Sequence, residues 1–170
     1  MTSFSPSRRA GLKLAVALGL STLLTACGPE PKPSFSGTDI SGTGLGKELA
    51  MLDHTGQPRT LADYKGKALV VFFGFTHCPD VCPTALAQLA QTLQLLGDRA
   101  GEVQIAMISV DPERDTPEIM ARYVKAFDDS FVGLTGTPQQ LQQTAKSFKA
   151  YYAKVPDKAN NSYTMDHSAS

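Results

Sequence analysis

The sequence has few residues that hold metals or form disulfides, with three cysteines and three histidines among 170 residues. A structural zinc site usually takes four protein ligands, often as two paired clusters. This chain has one close cysteine pair, Cys78 and Cys82, and its histidines His54, His77 and His167 stand at unrelated spacings. Structural zinc is therefore the weaker interpretation of the thiols.

The chain also lacks an excess of charge and a long apolar run. Its 16 basic and 16 acidic residues cancel, and loss of Arg8, Arg9 and Lys13 with a leader would leave 13 basic against 16 acidic residues, a net charge of −3. We therefore expect no nucleic-acid partner. The apolar run from Leu14 to Leu24 is about eleven residues long, too short to cross roughly 30 Å of hydrocarbon as a stable helix.

The first 26 residues contain no acidic residue and predict an export signal. A basic start and an apolar run lead to Leu24, Thr25, Ala26 and Cys27, which look like a bacterial lipobox with Cys27 as the acylated residue. The segment around the paired arginines also resembles a twin-arginine signal, and an ordinary basic start explains it equally well. We predict a lipoprotein anchored to a membrane of the bacterial envelope and facing the periplasm or the exterior.

The rest of the chain divides into a tether and one domain. Residues 27–46 follow the lipidated cysteine with repeated proline and glycine, which predicts a flexible tether. Residues 47–170 are enough for one domain with a real core, and a hydrophobic content of 42% argues against general disorder.

Alternating elements within this domain predict an α/β fold with a mixed sheet between helices. We expect a small hairpin near Met51, then a central strand buried on both faces over Ala68 to Thr76. Leucines at helical spacing predict a helix that ends at Gly97. A second strand leads to a helix capped by Thr116, and a third leads to a helix capped by Thr137. The face of this last helix is expected to comprise Leu141, Ala145, Phe148 and Tyr152.

The thiol pair lies where the first buried strand ends and the first helix begins, the usual place for chemistry in α/β proteins. Pro83 disfavours helix at Cys82, so we expect a helix from about Pro83 and a turn over Cys78 to Cys82. The positive end of the helix dipole favours thiolates, which attack disulfides and bind soft metals. The spacing leaves open copper or another thiophilic metal, redox chemistry, and an inert disulfide.

Residues Phe72 to Thr84, which read FFGFTHCPDVCPT, resemble the signature of the Sco/SenC family. Phe35 to Ile40, Ile108 to Pro117 and Tyr163 to Ser168 resemble the same family. The resemblance implies a thioredoxin-like fold that binds copper, as Cu(I) or Cu(II), through Cys78, Cys82 and His167.

The same resemblance implies delivery of copper to the CuA centre of cytochrome c oxidase, with the copper-bearing oxidase subunit as the partner. Other periplasmic copper chaperones or thiol reductants are further expected partners. The alternative function is a thiol:disulfide reductase that keeps the oxidase cysteines reduced, with Cys78 and Cys82 as its redox-active residues. The family continues past the position of Ser170 through a strand, a hairpin and a last helix, so we expect a domain that is incomplete at its C-terminal side.

Five other polar residues receive weaker predictions. His54 and His77 are expected to be solvated and outside the site. Asp166 is expected either to orient His167 or hold a nearby loop, or to be a plain turn residue, and the two interpretations carry equal weight. Asp111 and Asp115 are expected to cap turns.

Overall fold

The computed structural model describes residues 36–158 and 161–168, so the predicted signal peptide and Cys27 lie outside the described residues. The chain divides into two compact units, residues 1–39 and 40–170, and every element below belongs to the second unit. The strands are β1 (Ala50–Asp53), β2 (Pro58–Thr60), β3 (Ala68–Gly74), β4 (Val103–Ser109), β5 (Val132–Thr135), β6 (Tyr152–Asp157) and β7 (Ser162–His167). The α-helices are α1 (Val81–Leu96), α2 (Pro117–Lys125) and α3 (Pro138–Phe148).

Five strands form one mixed sheet in the order β2-β1-β5-β4-β3. Strands β3, β4 and β5 run parallel, whereas β1 is antiparallel to both β2 and β5. The predicted hairpin is the β1–β2 pair, and the predicted mixed sheet is confirmed. Within the described part of the chain, strands β6 and β7 pair only with each other, in a second sheet.

The prediction that β3 is a central strand buried on both faces is wrong. Strand β3 is an edge of the described sheet, and most of its residues are only half-buried. A groove of about 540 Å³ runs along it, lined by side chains that include Phe72, Leu89 and Phe148. The strand that is buried over most of its length is β4, which lies between β3 and β5. An apolar run predicts that a strand is buried, but it does not predict which strands pair with it on either side.

The core lies on both faces of the sheet because successive residues of β4 point to opposite sides. Ile105 and Met107 pack with helices α1 and α2 on one face. Ala106 and Ile108 pack with α3 and the β1 region on the other face. This arrangement confirms the predicted helices on both sides of the sheet. The end of β3 leads through a short turn into α1.

The predicted helix caps are confirmed, whereas the predicted C-terminal extent of α3 is wrong. The Thr116 hydroxyl accepts from the Ile119 N–H, and the Thr137 hydroxyl accepts from the Gln140 N–H. Helix α3 ends at Phe148 because Lys149 adopts a left-handed conformation with φ of 53°, so Tyr152 belongs to β6 instead of the predicted helix face. Among the helices of the described residues, none has the length and apolarity to cross a bilayer.

Candidate metal centre

The thiol turn, residues 75–82, joins the end of β3 to the start of α1. The Cys78 N–H donates to the Phe75 carbonyl at 3.2 Å, and the Thr84 N–H donates to the Asp80 carbonyl at 3.2 Å. Helix α1 therefore begins at Val81, two residues before the predicted start at Pro83. The prediction gave too much weight to the restraint that Pro83 places on Cys82. A proline in the first helical turn is tolerated, because its position needs no hydrogen-bond donor.

A buried carboxylate fixes the start of this turn. Asp115 accepts from the Thr76 N–H at 3.1 Å and from the Thr76 hydroxyl at 2.6 Å. The Ser109 hydroxyl donates to the same carboxylate at 2.6 Å. Asp115 thus joins the thiol turn to the end of β4, a larger role than the turn cap that was predicted.

The Cys78 sulfur is half-buried and lies among backbone donors of its own turn. The Cys82 N–H donates to Cys78 Sγ at 3.4 Å. Burial opposes ionisation, but hydrogen bonds from the backbone of Asp80, Cys82 and Val81 and from the Cys82 thiol outweigh it, so the pKa of Cys78 is lowered from its ordinary value. Cys78 is therefore the thiol that ionises more readily and meets solvent.

Cys82 lies in the opposite environment. Its side chain is fully buried in a cluster with Phe75 and Val110. Burial raises the pKa of Cys82 to about 12, and the neighbouring Cys78 reinforces the shift. Both cysteines are free thiols, and Cys82 is the one that keeps its proton until a metal or a covalent partner replaces it.

His167 reaches the thiols from β7, 85 residues along the chain from Cys82. Its Nε2 lies 3.9 Å from Cys82 Sγ. Its Nδ1 lies 3.0 Å from the Ser168 carbonyl oxygen, which can only accept, so Nδ1 is the donor of this bond and the neutral form of the ring has its lone pair on Nε2. The ring also packs edge-on against Phe75, with centroids 5.9 Å apart and an interplanar angle of 87°.

The predicted ligands converge without forming a finished coordination shell. Within residues 36–158 and 161–168, no group of three or more His, Cys, Asp or Glu side chains is arranged to hold a metal ion. With bonds of about 2.3 Å to sulfur and 2.0 Å to nitrogen, two ligands of one ion can lie up to about 4.3 Å apart. The Cys82–His167 separation of 3.9 Å falls within that limit. The Cys78 sulfur lies beside the Cys82 thiol, which is one of its hydrogen-bond donors.

The donor set fits a soft metal. Two thiols and one imidazole with a free Nε2 are the ligand types that copper accepts, and low coordination numbers suit Cu(I). A fourth protein ligand, which a structural zinc site would require, is missing from the group.

The remaining polar candidates lie outside this group. His77 is exposed, as predicted, and its Nδ1 lies 3.2 Å from the Thr76 hydroxyl. His54 is not solvated as predicted: it is half-buried, its Nδ1 accepts from the Gly133 N–H at 3.1 Å, and burial lowers its pKa. Asp166 lies on the exposed face of β7, opposite to His167, because neighbouring residues of a strand point apart.

Sequence reasoning missed the role of Gly74. A methyl group at this position would lie 2.9 Å from Cys82 Sγ and 2.7 Å from the Phe72 ring. The Cys82 sulfur therefore occupies space that exists only because residue 74 has no side chain. A glycine inside a strand often marks such a close approach, so the sequence did contain this signal.

Sequence reasoning also missed the residues that hold the β6–β7 hairpin. Tyr163 lies beside Asp111 and Arg114, although Asp111 was predicted only to cap a turn. The Asp111 carboxylate instead pairs with Arg114 and accepts from the Tyr163 hydroxyl. No sequence spacing links these residues, because they are about 50 positions apart.

Comparison with known proteins shows which proteins this chain resembles. A family model described as SCO1/SenC matches residues 38–170. The mitochondrial SCO2 homologue of Bos taurus is 43% identical over 123 residues, covering 71% of this chain and 46% of the relative. A SCO2-like protein of Rickettsia felis is 32% identical over 161 residues, covering 93% of this chain and 78% of the relative. The chain thus spans about half the length of the mitochondrial relatives that it matches.

A solved structure of Bradyrhizobium japonicum ScoI with copper bound is similar in fold as well as in sequence. Its TM-score is 0.69 at 43% identity, and the match covers 74% of this chain and 79% of that one. The predicted thioredoxin-like α/β fold is thereby confirmed.

Proposed function

Since the chain belongs to the SCO1/SenC family, we propose that it is a metallochaperone whose cargo is copper. Cys78, Cys82 and His167 would bind the ion and release it by ligand exchange to the thiols and imidazoles of a partner protein. The observation that carries the proposal is the approach of the His167 Nε2 to the Cys82 sulfur at the start of α1. A metal ion is the kind of ligand that would draw one imidazole and two thiols together.

The unequal environments of the two thiols suit a site that both loads and unloads. Cys78 ionises more readily and is accessible, so it would meet the incoming ion first. Cys82 and His167 would then complete the shell, and copper would displace the Cys82 proton. A shell of three protein ligands leaves room for a fourth ligand from a partner, which lets the ion be handed over.

We propose the copper-bearing subunit of cytochrome c oxidase as the recipient, at its CuA centre. The resemblance of residues 72–84 to the Sco/SenC signature supports this partner. We also propose that the domain is tethered by a lipid on Cys27 to a bacterial envelope membrane. The basic and apolar pattern of residues 1–26 supports that anchor, and incorporation of labelled fatty acid into wild-type chain but not into Cys27→Ser would test it.

Copper titration tests the chaperone proposal. We expect reduced, metal-free protein to bind one equivalent of Cu(I) in competition with a chromogenic chelator. Cys78→Ser and Cys82→Ser should each abolish that binding, because each removes one of two soft ligands. Glu102→Gln, in an exposed ion pair with Arg99, is the control and should bind as wild type does. Undiminished binding in both cysteine variants would rule the proposal out.

The second candidate function is a thiol:disulfide reductase, which the lowered pKa of Cys78 favours. The Cys78 thiolate would attack a partner disulfide and release one partner thiolate. Cys82 would lose its proton and attack the Cys78 sulfur, releasing the second partner thiolate and leaving a Cys78–Cys82 disulfide. The partner gains two electrons, and a thiol reductant must restore the pair.

The two functions differ in their need for His167. Electron transfer between thiols requires no imidazole, so His167→Ala should retain reductase activity toward a model disulfide. Copper transfer should weaken in the same variant. Trapping of a mixed disulfide by Cys82→Ser, together with unchanged oxidase assembly by His167→Ala, would favour the reductase.

A further inference from the structure

Among the residues that the structure describes, the β6–β7 hairpin has no strand pairing with the five-stranded sheet, yet it carries the histidine of the candidate site. An isolated two-stranded hairpin is only marginally stable in water. Contacts other than a strand ladder must therefore hold His167 at the thiols. Alternate residues of β7 turn inward, so Tyr163, Met165 and His167 share the face toward the domain.

Tyr163 makes the most polar contacts between the hairpin and the rest of the domain. Its hydroxyl donates to Asp111 Oδ1 at 2.9 Å. The Arg114 guanidinium lies over its ring, 3.8 Å from the centroid, and Arg114 Nη1 donates to the Tyr163 carbonyl at 3.0 Å. Arg114 also pairs with the Asp111 carboxylate, which is almost fully buried. The side chain and backbone of Tyr163 are thus held by the same two residues.

A second, exposed contact reaches the other strand of the hairpin. Lys154 of β6 lies 4.0 Å from the centroid of the Tyr163 ring, and its ammonium pairs with Glu113 at 2.7 Å. Both partners are largely exposed, and exposed ion pairs contribute little to stability. The half-buried Asp111–Arg114–Tyr163 group, called the clamp below, is therefore the stronger of the two polar contacts, and it acts beside the apolar packing of Tyr152 and Met165.

The clamp is connected to the thiols at its other end. Residues 111–115 form one loop after β4, and Asp115 of that loop binds Thr76 in the thiol turn. Tyr163 and His167 lie four residues apart on one strand, about 13 Å at the usual rise. A continuous set of packed and hydrogen-bonded groups therefore runs from the thiol turn through the loop and the clamp to His167.

We propose that Asp111, Arg114 and Tyr163 are positioning residues that hold His167 in reach of Cys78 and Cys82. This inference rests on the copper-binding function proposed above. A ligand held in place before binding loses less conformational freedom when the metal arrives, so the clamp raises copper affinity without touching the ion. Outer partners of metal ligands commonly change metal affinity by about 10- to 100-fold when removed.

Two variants of Tyr163 test the clamp, with a matched tyrosine as control. Tyr163→Leu removes the hydroxyl and the ring. Tyr163→Phe removes only the hydroxyl with its hydrogen bond to Asp111, and it keeps the ring and its packing. Tyr151→Leu makes the first change at an exposed tyrosine just before β6. We expect Cu(I) affinity to fall about tenfold or more in Tyr163→Leu, less in Tyr163→Phe, and not in Tyr151→Leu.

A measurement without metal separates this inference from the copper proposal. Amide hydrogen exchange of residues 152–157 and 161–168 in the copper-free protein should become faster in Tyr163→Leu and stay unchanged in Tyr151→Leu. If wild type binds no copper, the copper proposal fails, while the exchange result still reports whether the clamp holds the hairpin. Unchanged exchange in Tyr163→Leu would overturn the clamp whatever the copper result.

A double-mutant cycle shows whether the clamp acts through His167. In the His167→Ala background there is no imidazole to position, so Tyr163→Leu should change copper affinity by less than about twofold. An equal loss in both backgrounds would mean that the clamp only stabilises the domain, and the positioning role would be discarded.

Discussion

The thiol turn and the β6–β7 hairpin supply ligands to one site, but they are held by different kinds of interaction. The thiol turn continues a strand whose seven residues all pair with β4, and the Val110 N–H donates to the Gly74 carbonyl at 2.8 Å beside it. The hairpin pairs only with itself and is attached to the domain through side chains. Backbone pairing tolerates most side-chain changes, whereas the hairpin depends on a few named residues.

The two regions also differ in packing. Cys82 is fully buried beneath the turn, while alternate residues of β7 are exposed. Added side-chain volume should therefore destabilise the thiol turn, whereas the hairpin should be sensitive to the loss of individual side-chain contacts. The predictions below would break or sharpen this contrast, beginning with the largest effect.

The largest effect is expected from Gly74→Ala, which changes volume beneath the thiol turn. The added methyl group would lie 2.9 Å from Cys82 Sγ and 3.3 Å from Met107 Cε. Overpacking of this kind costs about 1–3 kcal/mol, and displacement of the sulfur should weaken copper binding as well. Chemical denaturation and Cu(I) competition measure the two losses.

Gly101→Ala is the matched control for that change, because a methyl group there meets nothing within 4 Å. It should leave the free energy of unfolding and the copper affinity near their wild-type values. Equal stability of the Gly74 and Gly101 variants would show that the thiol turn has spare room, which contradicts the contrast in packing.

His167→Ala should separate the two regions by their chemistry. We expect copper affinity to fall at least about tenfold, equivalent to about 1.4 kcal/mol, because one ligand is lost. The alkylation rate of Cys78 in copper-free protein should stay unchanged, because the donors that lower its pKa belong to its own turn. A slower alkylation would show that the hairpin helps to activate the thiol.

The pH dependence of alkylation should differ between the two cysteines of metal-free protein. The pKa of Cys78 is lowered from its ordinary value of 9.0, so its reaction with iodoacetamide should reach half its maximum rate below pH 9.0. Cys82, with a pKa of about 12, should stay protonated and unreactive across the same range. Peptide mass spectrometry over a pH series resolves the two sites, and a shared midpoint would refute the difference.

The smallest effect is expected from Lys154→Gln at the exposed side of the hairpin. This change removes the ion pair with Glu113 and the cation above Tyr163. Copper affinity should change by about twofold or less, because exposed pairs are weak and screened by salt. A loss as large as that of Tyr163→Leu would show that the exposed contacts of Lys154 hold the hairpin as much as the half-buried clamp does.

Local sequence signals predicted the fold where an element is determined by its own residues. Thr116 and Thr137 identified two helix starts, and the leucines of α1 identified its buried face. The edge position of β3 could not be predicted, because strand order arises from pairing between distant segments. Strand β6 was missed because Tyr152 also fits the spacing of a helix and the left-handed Lys149 gives no glycine signal.

The candidate site divides in the same way. Cys78 and Cys82 could be predicted from their spacing and their place after a strand, since a turn of five residues determines their geometry. His167 came only from the family resemblance, because 85 residues separate it from Cys82. Tyr163 and Arg114 were invisible for the same reason, as their roles exist only once the hairpin meets the loop after β4.

The first turn of α1 has an unusual source of capping. Asp80 stands at the N-cap position but makes no side-chain cap hydrogen bond, while the Cys78 sulfur accepts the Cys82 N–H at 3.4 Å. The sulfur that would receive an ion therefore also serves one of the free N–H donors of the helix. The Cys82 amide thus reports the charge on this sulfur, and its NMR signal should shift when an ion or a second sulfur is bound there.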